Sequence, residues 1–385
     1  MYLRGIDLRL PDEKRRRIAV RRCHSDRFKA PAWKGCLLIA AFFPLVSCHD
    51  TQNPNGFWQK SGEVRSLRWT GHTMGTTYHI QVHFPDTQRT DEQIQSALKK
   101  EVEICLEQIN RCMSTYDPES ELSAFNRMPP NQWHPVSPST ASVVAAALGY
   151  HKQTNGALDV TIGPLMRLWG FGAQESDPRS TLPTTDQIRA VRARVGCEYL
   201  QVRHHSHAGL RKTVAGVEID LSALAKGYAV DQLVVLLRKA GGAGGVVEIG
   251  GEIRTWGRRK DGQCWRIGIE KPLAGERTLA HIIRLEEAAL ATSGDYRNFR
   301  SLEGKQLCHL IDPRTGTPLP AREMSVSVCA KTCMESDALA TALFLMGKEK
   351  GLAWSESRGV AAMFLTVENG KLTEKYSSHF EAYLR

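Results

Sequence analysis

Between Glu218 and Leu233 the chain reads EIDLSALAKGYAVDQL, a stretch that sets Lys226 among residues a helix would bury. Val230, Leu233 and Leu237 follow Lys226 at plus four, seven and eleven, so all share its side of a helix of 3.6 residues per turn. An ammonium on that side is costly unless an anion meets it. The alternating residues Val217 to Leu221 read as a strand, and Ser222 and Ala223 carry the chain into the helix. A helix start offers free backbone N–H groups and a partial positive charge, both suited to phosphate. The competing reading has Lys226 snorkelling to solvent or pairing with Asp220 for structure alone, and the segment by itself leaves both open.

The 385 residues are 42% hydrophobic, enough to bury a large core in one elaborated domain or two. The net charge of +10 is concentrated at the start: residues 1–35 hold eleven Lys/Arg and four Asp/Glu, leaving 40 basic against 37 acidic residues beyond. That near balance gives no case for a nucleic-acid partner. The apolar run from Gly35 to Ser47 is too short for a membrane span, which needs about 20 apolar residues. Its order, basic then apolar then small, is that of a secretory signal over residues 1–47, and the long basic part predicts a start nearer Val20. Leu45-Val-Ser-Cys48 resembles the lipobox of bacterial lipoproteins, in which the signal is cut before a cysteine that is then lipidated. That resemblance implies a lipid on Cys48, a flexible tether over residues 48–65, and a periplasmic protein anchored to a membrane. His49 after the cysteine leans towards the outer membrane.

Seven cysteines then remain, Cys105, Cys112, Cys197, Cys264, Cys308, Cys329 and Cys333, and an odd number leaves at least one unpaired. No CxxC pair occurs, so neither a zinc ribbon nor a thioredoxin-type centre is supported.

Thr73 to Val82 reads as a strand with a glycine at its start. Thr90 and Gln93 predict a capping box for a helix carrying Ile94, Leu98, Val102, Cys105, Ile109 and Cys112. A turn and short helix over 114–126 and a helix from Ser139 to Gln153 follow, the latter stopped by Asn155-Gly156. Residues 198–221 read as a hairpin tipped by Arg203-His-His-Ser-His207, a solvated turn before a metal site. The run from Gly244 to Ile253 reads as a buried strand flanked by glycines, with more strands at Trp265–Glu270, His281–Leu285, His309–Ile311 and Ser325–Val328. An amphipathic helix is expected from Glu335 to Met346. Strands outnumber helices and neighbour one another in sequence, which favours a mixed α/β or α+β sheet over a strict βαβ series.

On the late helix, Asp337 and Thr341 stand one turn apart with small Ala340 beside them, a pair of hard oxygens that suits Mg²⁺ better than zinc. The alternative is an acid that favours the first helical turn and a threonine bonded to its own backbone. His309 precedes Ile311-Asp-Pro-Arg-Thr-Gly316, a rigid turn, and could accept a proton near neutral pH. Thr292-Ser-Gly-Asp-Tyr296 reads as a polar, glycine-centred loop.

These pieces gain weight from their order. Thr73-Met-Gly-Thr76, Ser114-Thr-Tyr-Asp-Pro-Glu-Ser120, Asp159-Val-Thr-Ile-Gly-Pro164, Asp220 with Lys226-Gly-Tyr, Ile249-Gly-Gly251, Thr292 to Tyr296, His309 to Gly316 and Asp337 with Thr341 together resemble the ApbE family of FAD:protein FMN transferases, over residues 66–370. The resemblance implies a T-fold-like, largely antiparallel sheet packed with helices, plus a smaller α/β portion, in a domain over 66–375 with a tail at 376–385. It implies Mg²⁺-dependent cleavage of FAD, transfer of FMN to a threonine or serine of an acceptor flavoprotein, and release of AMP. The acceptors it points to are subunits of respiratory, ion-pumping complexes. Carried over by position, the flavin-binding residues are Met74, Tyr116, Ala157, Leu158, Asp159, Asp220, Lys226, Ile311 and Ala340. The magnesium ligands are Ala223 through its backbone carbonyl, Asp337 and Thr341, while His309 is the base, acting with Lys226 and Asp337. Glu248 and Glu252 stand where the family commonly has Asn and Asp, and Ser222 where glycine is frequent. An FAD pyrophosphatase and a non-catalytic flavin-binding lipoprotein are the competing functions.

Overall fold

The computed structural model describes residues 64–384, apart from 86–89, 173–180, 205–206, 274–277, 296–298, 321 and 369. The signal, Cys48, most of the tether and Tyr296 lie outside the described residues. Strands β1 (Arg65–Thr73) and β2 (Thr76–Phe84) form a hairpin closed by Met74-Gly75. The expected strand is therefore two, and its glycine stands in the turn. Both turn residues have positive φ, 49° and 72°, the hand a two-residue hairpin needs to match the twist of its strands.

Strand β2 pairs with β6 (Gly244–Ile249), which turns at Gly250-Gly251 into β7 (Glu252–Trp256). The buried strand expected before the glycines is β6, and adjacent glycines at φ 62° and 106° reverse the chain into β7. Strands β10 (Ala289–Gly294), β14 (Met324–Ala330), β15 (Ala361–Glu368) and β16 (Lys371–Tyr376) complete an eight-stranded sheet in the order β1-β2-β6-β7-β10-β14-β15-β16. Every pairing in it is antiparallel, as the family resemblance implies. Residues 292–294, expected in a loop, end β10, and Asp295 just beyond is buried, accepting the backbone N–H groups of Arg322 and Met324.

Helix α1 (Asp91–Met113) begins with the predicted capping box, in which Thr90 and Gln93 each take the other's backbone N–H. Its Leu98, Val102 and Leu106 pack with Tyr78, Ile80 and Val82 of β2 and with Leu233 and Leu237 of α6 (Ala225–Lys239) in the main core. Helix α6 lies on β6 and β7, α7 (Cys333–Met346) lies on β10 and β14, and the two helices touch. Eleven of the fourteen α7 residues are buried, so α7 is not the amphipathic helix its sequence suggests. Sheet, α6 and α8 (Lys348–Arg358) surround it, which is how Asp337 and Thr341 come to be buried.

Between β2 and α6 run α2 (Glu121–Arg127), α3 (Pro138–Gln153), α4 (Gly163–Trp169), α5 (Thr185–Arg192) and a small sheet of β3 (His134–Pro135), β4 (Leu200–Arg203) and β5 (Gly209–Lys212). The expected hairpin ends at Lys212, and residues 217–221 are extended yet join no sheet beyond one bridge, Ile162 to Glu218. Asn126 replaces the missing ladder: its Nδ2 donates to Ile219 O at 2.9 Å and its Oδ1 accepts from Ile219 N at 2.8 Å. Buried Lys212 adds two bonds of 2.8 Å from Nζ, to the carbonyls of Asn126 and Val217. A ribbon of β8 (Trp265–Glu270) and β9 (Leu279–Leu285) and a sheet of β11 (Phe299–Leu302), β12 (Lys305–Asp312) and β13 (Thr317–Pro320) follow. The final stretch, read as a tail, carries α9 (Glu381–Leu384) and brings Phe380 into the core beside β9 and β15.

Candidate active site

The Met74-Gly75 and Gly250-Gly251 turns lie at one end of the large sheet, tied by Gly250 N donating to Thr77 O at 3.1 Å. Antiparallel pairing of β7 with β10 brings Thr292 and Ser293 to the same end. The first turn of α6 packs here, with Val230, Leu233 and Leu237 fully buried below Lys226 as the helical period requires.

The anion that meets Lys226 belongs to the protein. Its Nζ lies 2.5 Å from Glu252 Oε1 and 3.9 Å from Asp337 Oδ1, whereas Asp220 turns its carboxylate to the backbone N–H and hydroxyl of Ser222. Asp220, Ala223 and Lys226 therefore share one helix entrance without Asp220 pairing to the lysine. Burial works against the Lys226 ammonium, but Asp337 and Glu252 outweigh it and hold its pKa above the ordinary lysine value. Burial likewise pushes the Glu252 and Asp337 carboxyls up, with Lys226 opposing.

Asp337 stands in the second turn of α7 because the helix begins at Cys333, two residues earlier than expected. Gly227 N donates to its Oδ2 at 3.1 Å, and a side chain at Gly227 would collide with the carbonyl of Cys333. One turn on, Thr341 Oγ1 lies 3.1 Å from Ser293 Oγ, so the hydroxyl faces the end of β10. Ala340, fully buried between them in sequence, adds no bulk. Two carboxylates against one ammonium leave a buried excess of negative charge, and Glu252 Oε2 has no hydrogen-bond partner though the residue is 4% exposed. A buried carboxylate oxygen left without a partner is costly, so these residues fit a divalent cation with oxygen ligands. Asp337, Thr341 and the carbonyl of half-buried Ala223, in the turn before α6, are the groups that could hold it.

The remaining expected residues occupy several places. Met74, half-buried against the main core, holds the left-handed conformation that its hairpin turn requires. Tyr116 is 71% exposed in the turn after α1. Ala157, Leu158 and Asp159 are buried after α3. The Asp159 carboxylate is already occupied: Oδ1 accepts the N–H and hydroxyl of Thr161, and Oδ2 accepts Cys197 N at 3.2 Å. His151 and Cys197 also reach it, a trio with metal-ligand chemistry, but burial pushes the Cys197 thiol well up and keeps it protonated. His309 is half-buried on β12, with the Cys308 sulfur 3.9 Å from its Nδ1. Next to it, Leu310 packs with Ala340 and Leu339, which brings β12 against α7. The Ile311 side chain belongs instead to a satellite core with Leu165, Leu168 and Trp169.

Glu252 is the site residue the sequence did not single out as a partner for Lys226. The pairing of β6 with β7 places it, since residues directly opposite in an antiparallel pair share a face and Glu252 opposes buried Ile249 across the glycine turn.

Residues 74–364 match the model of the ApbE family. The FAD:protein FMN transferase of Vibrio cholerae is 41% identical over 83% of this chain and 93% of its own, and that of Escherichia coli K12 is 34% identical over 90% and 96%. The solved flavin transferase ApbE from Vibrio cholerae superposes with a TM-score of 0.73 at 38% identity, covering 84% of this chain and all of its own. The apo Pseudomonas stutzeri flavinyl transferase ApbE gives 0.74 at 33% identity, over 83% and 97%. The family match, these relatives and the shared fold show that the chain belongs to the ApbE family.

Proposed function

We propose that this protein is an FAD:protein FMN transferase that splits the pyrophosphate of FAD, joins FMN through a phosphoester to a threonine or serine of an acceptor flavoprotein, and releases AMP. The observation that carries this reading is the buried meeting of Lys226, Glu252 and Asp337 beside Thr341, in a chain of this family. Asp337, Thr341 and the Ala223 carbonyl hold Mg²⁺ in this reading. When bound, the ion neutralises charge on the phosphoryl oxygens being separated.

The chain's own groups do the rest. Lys226, in the first turn of α6, faces the phosphates, favoured by the helix dipole. Met74 and Tyr116 offer apolar and aromatic surface to the flavin ring, and Ala157 to Asp159, Asp220, Ile311 and Ala340 line the remaining contacts. The acceptor oxygen attacks the FMN-side phosphorus, the bridging P–O bond breaks, and its oxygen leaves with AMP. His309 takes the proton from the attacking hydroxyl.

Incubating the protein with FAD, Mg²⁺ and a flavin-acceptor domain is expected to give a fluorescent acceptor band that survives denaturing electrophoresis. FMN and AMP without a labelled band would identify a pyrophosphatase, and binding without turnover a flavin carrier. The family points to membrane flavoproteins of respiratory, ion-pumping complexes as acceptors. Lipidation of Cys48 would hold the enzyme at the periplasmic face of a membrane near them. Lipid labelling retained by Cys48→Ala would overturn that anchor.

A further inference from the structure

Helices α6 and α7 are joined by two reciprocal links one helical turn apart. At the first, Gly227 of α6 donates its backbone N–H to the carboxylate of Asp337 in α7. At the second the direction reverses. Asp231 of α6 is buried, and its Oδ1 and Oδ2 accept the backbone N–H groups of Cys333 at 2.9 Å and Met334 at 3.0 Å, the first two residues of α7. Residues 227 and 231 share a face of α6, and 333 and 337 share a face of α7, since four residues bring a helix round to the same side. Arg254 of β7, 2.6 Å away, pins Asp231 to the strand that carries Glu252. The remaining first-turn donor, Glu335 N, is taken by Thr332 Oγ1.

An aspartate that caps a helix ordinarily precedes it in sequence. Here the cap comes from another helix and a distant part of the chain, so it fixes where α7 begins relative to α6. That placement sets where Asp337 and Thr341 stand against the α6 entrance with Ala223 and Lys226. We propose that Asp231 is a positioning residue of the divalent-cation site: it binds no metal, and the site's affinity depends on it. The inference rests on the proposed roles of Asp337 and Thr341. Groups that orient ligands from behind characteristically change metal affinity by about 10–100-fold.

Binding of Mn²⁺ to the full chain in detergent micelles, read from the electron paramagnetic resonance signal of the free ion, tests this without turnover. Asp231→Ala is expected to weaken binding by about 10-fold or more. Asp231→Asn, whose single carboxamide oxygen keeps one of the two bonds to the α7 backbone while its NH2 faces the other donor, is expected to weaken binding clearly less than Asp231→Ala. Both lose the Arg254 ion pair, so both lower the unfolding midpoint, and a merely structural role would leave their Mn²⁺ affinities alike once folded. Wild-type affinity in folded Asp231→Ala overturns the inference, as does equal weakening by Ala and Asn. If wild type itself binds no Mn²⁺, or Asp337→Ala binds it normally, the cation-site reading has failed instead.

Discussion

Gly227 stands inside a helix, where replacing glycine by alanine ordinarily stabilises by about 1 kcal/mol. Here the sign reverses. The new methyl group would meet the carbonyl carbon and oxygen of Cys333 and the Cα of Met334, all main chain with no rotamer to escape into. Forcing a carbon into such a contact costs about 1–3 kcal/mol, which exceeds the propensity gain. Gly227→Ala is therefore expected to lose up to about 2 kcal/mol in urea unfolding, and a variant more stable than wild type would show that α6 and α7 can part freely. Single residues differed in how far the sequence revealed them. The burial beneath Lys226 was legible because a helix's period lies within its own segment. Its partner was not, because Glu252 arrives from another strand and the chain's own carboxylates compete with the phosphate the sequence suggested.

At the scale of elements, local signals located α1 and its cap, α3 and β8, whose stabilising contacts lie close in sequence. The segment at 217–221 shows the limit. Its alternation reports true alternation of burial, with Val217, Ile219 and Leu221 inside, but a side chain rather than a strand satisfies its backbone. Asn126→Ala would strand a buried N–H and a buried C=O at Ile219, and leaving such groups unpaired costs about 1–3 kcal/mol. The expected result is a fall of about 2 kcal/mol in unfolding free energy, with Asn126→Asp falling between, since a carboxylate accepts from Ile219 N but cannot donate to its carbonyl. Wild-type stability in Asn126→Ala would mean that the segment finds other partners. Helix α7 was misjudged for a related reason: polar residues at 336, 337 and 341 imply a wet face, and only the folded assembly shows that face turned to a buried site.

For the whole molecule, a mixed sheet rather than a strict βαβ series was legible because strands follow one another directly in much of the chain, and the antiparallel arrangement came with the family resemblance. The order was not legible, since β2 pairs with β6 across everything from α1 to β5. No local pattern encodes such a return. All seven cysteines of the described residues are free, so the odd count that required one unpaired thiol understated the result. Burial pushes the Cys308 thiol up to about 12 and those of Cys329 and Cys333 well above the ordinary thiol value, leaving little thiolate to react. The thermal midpoint is accordingly expected to be the same with and without dithiothreitol, and a lower value in reductant would reveal a bond. A fold that owes nothing to sulfur chemistry can mature without an oxidase or isomerase. Its maturation is then independent of the oxidant supply around it.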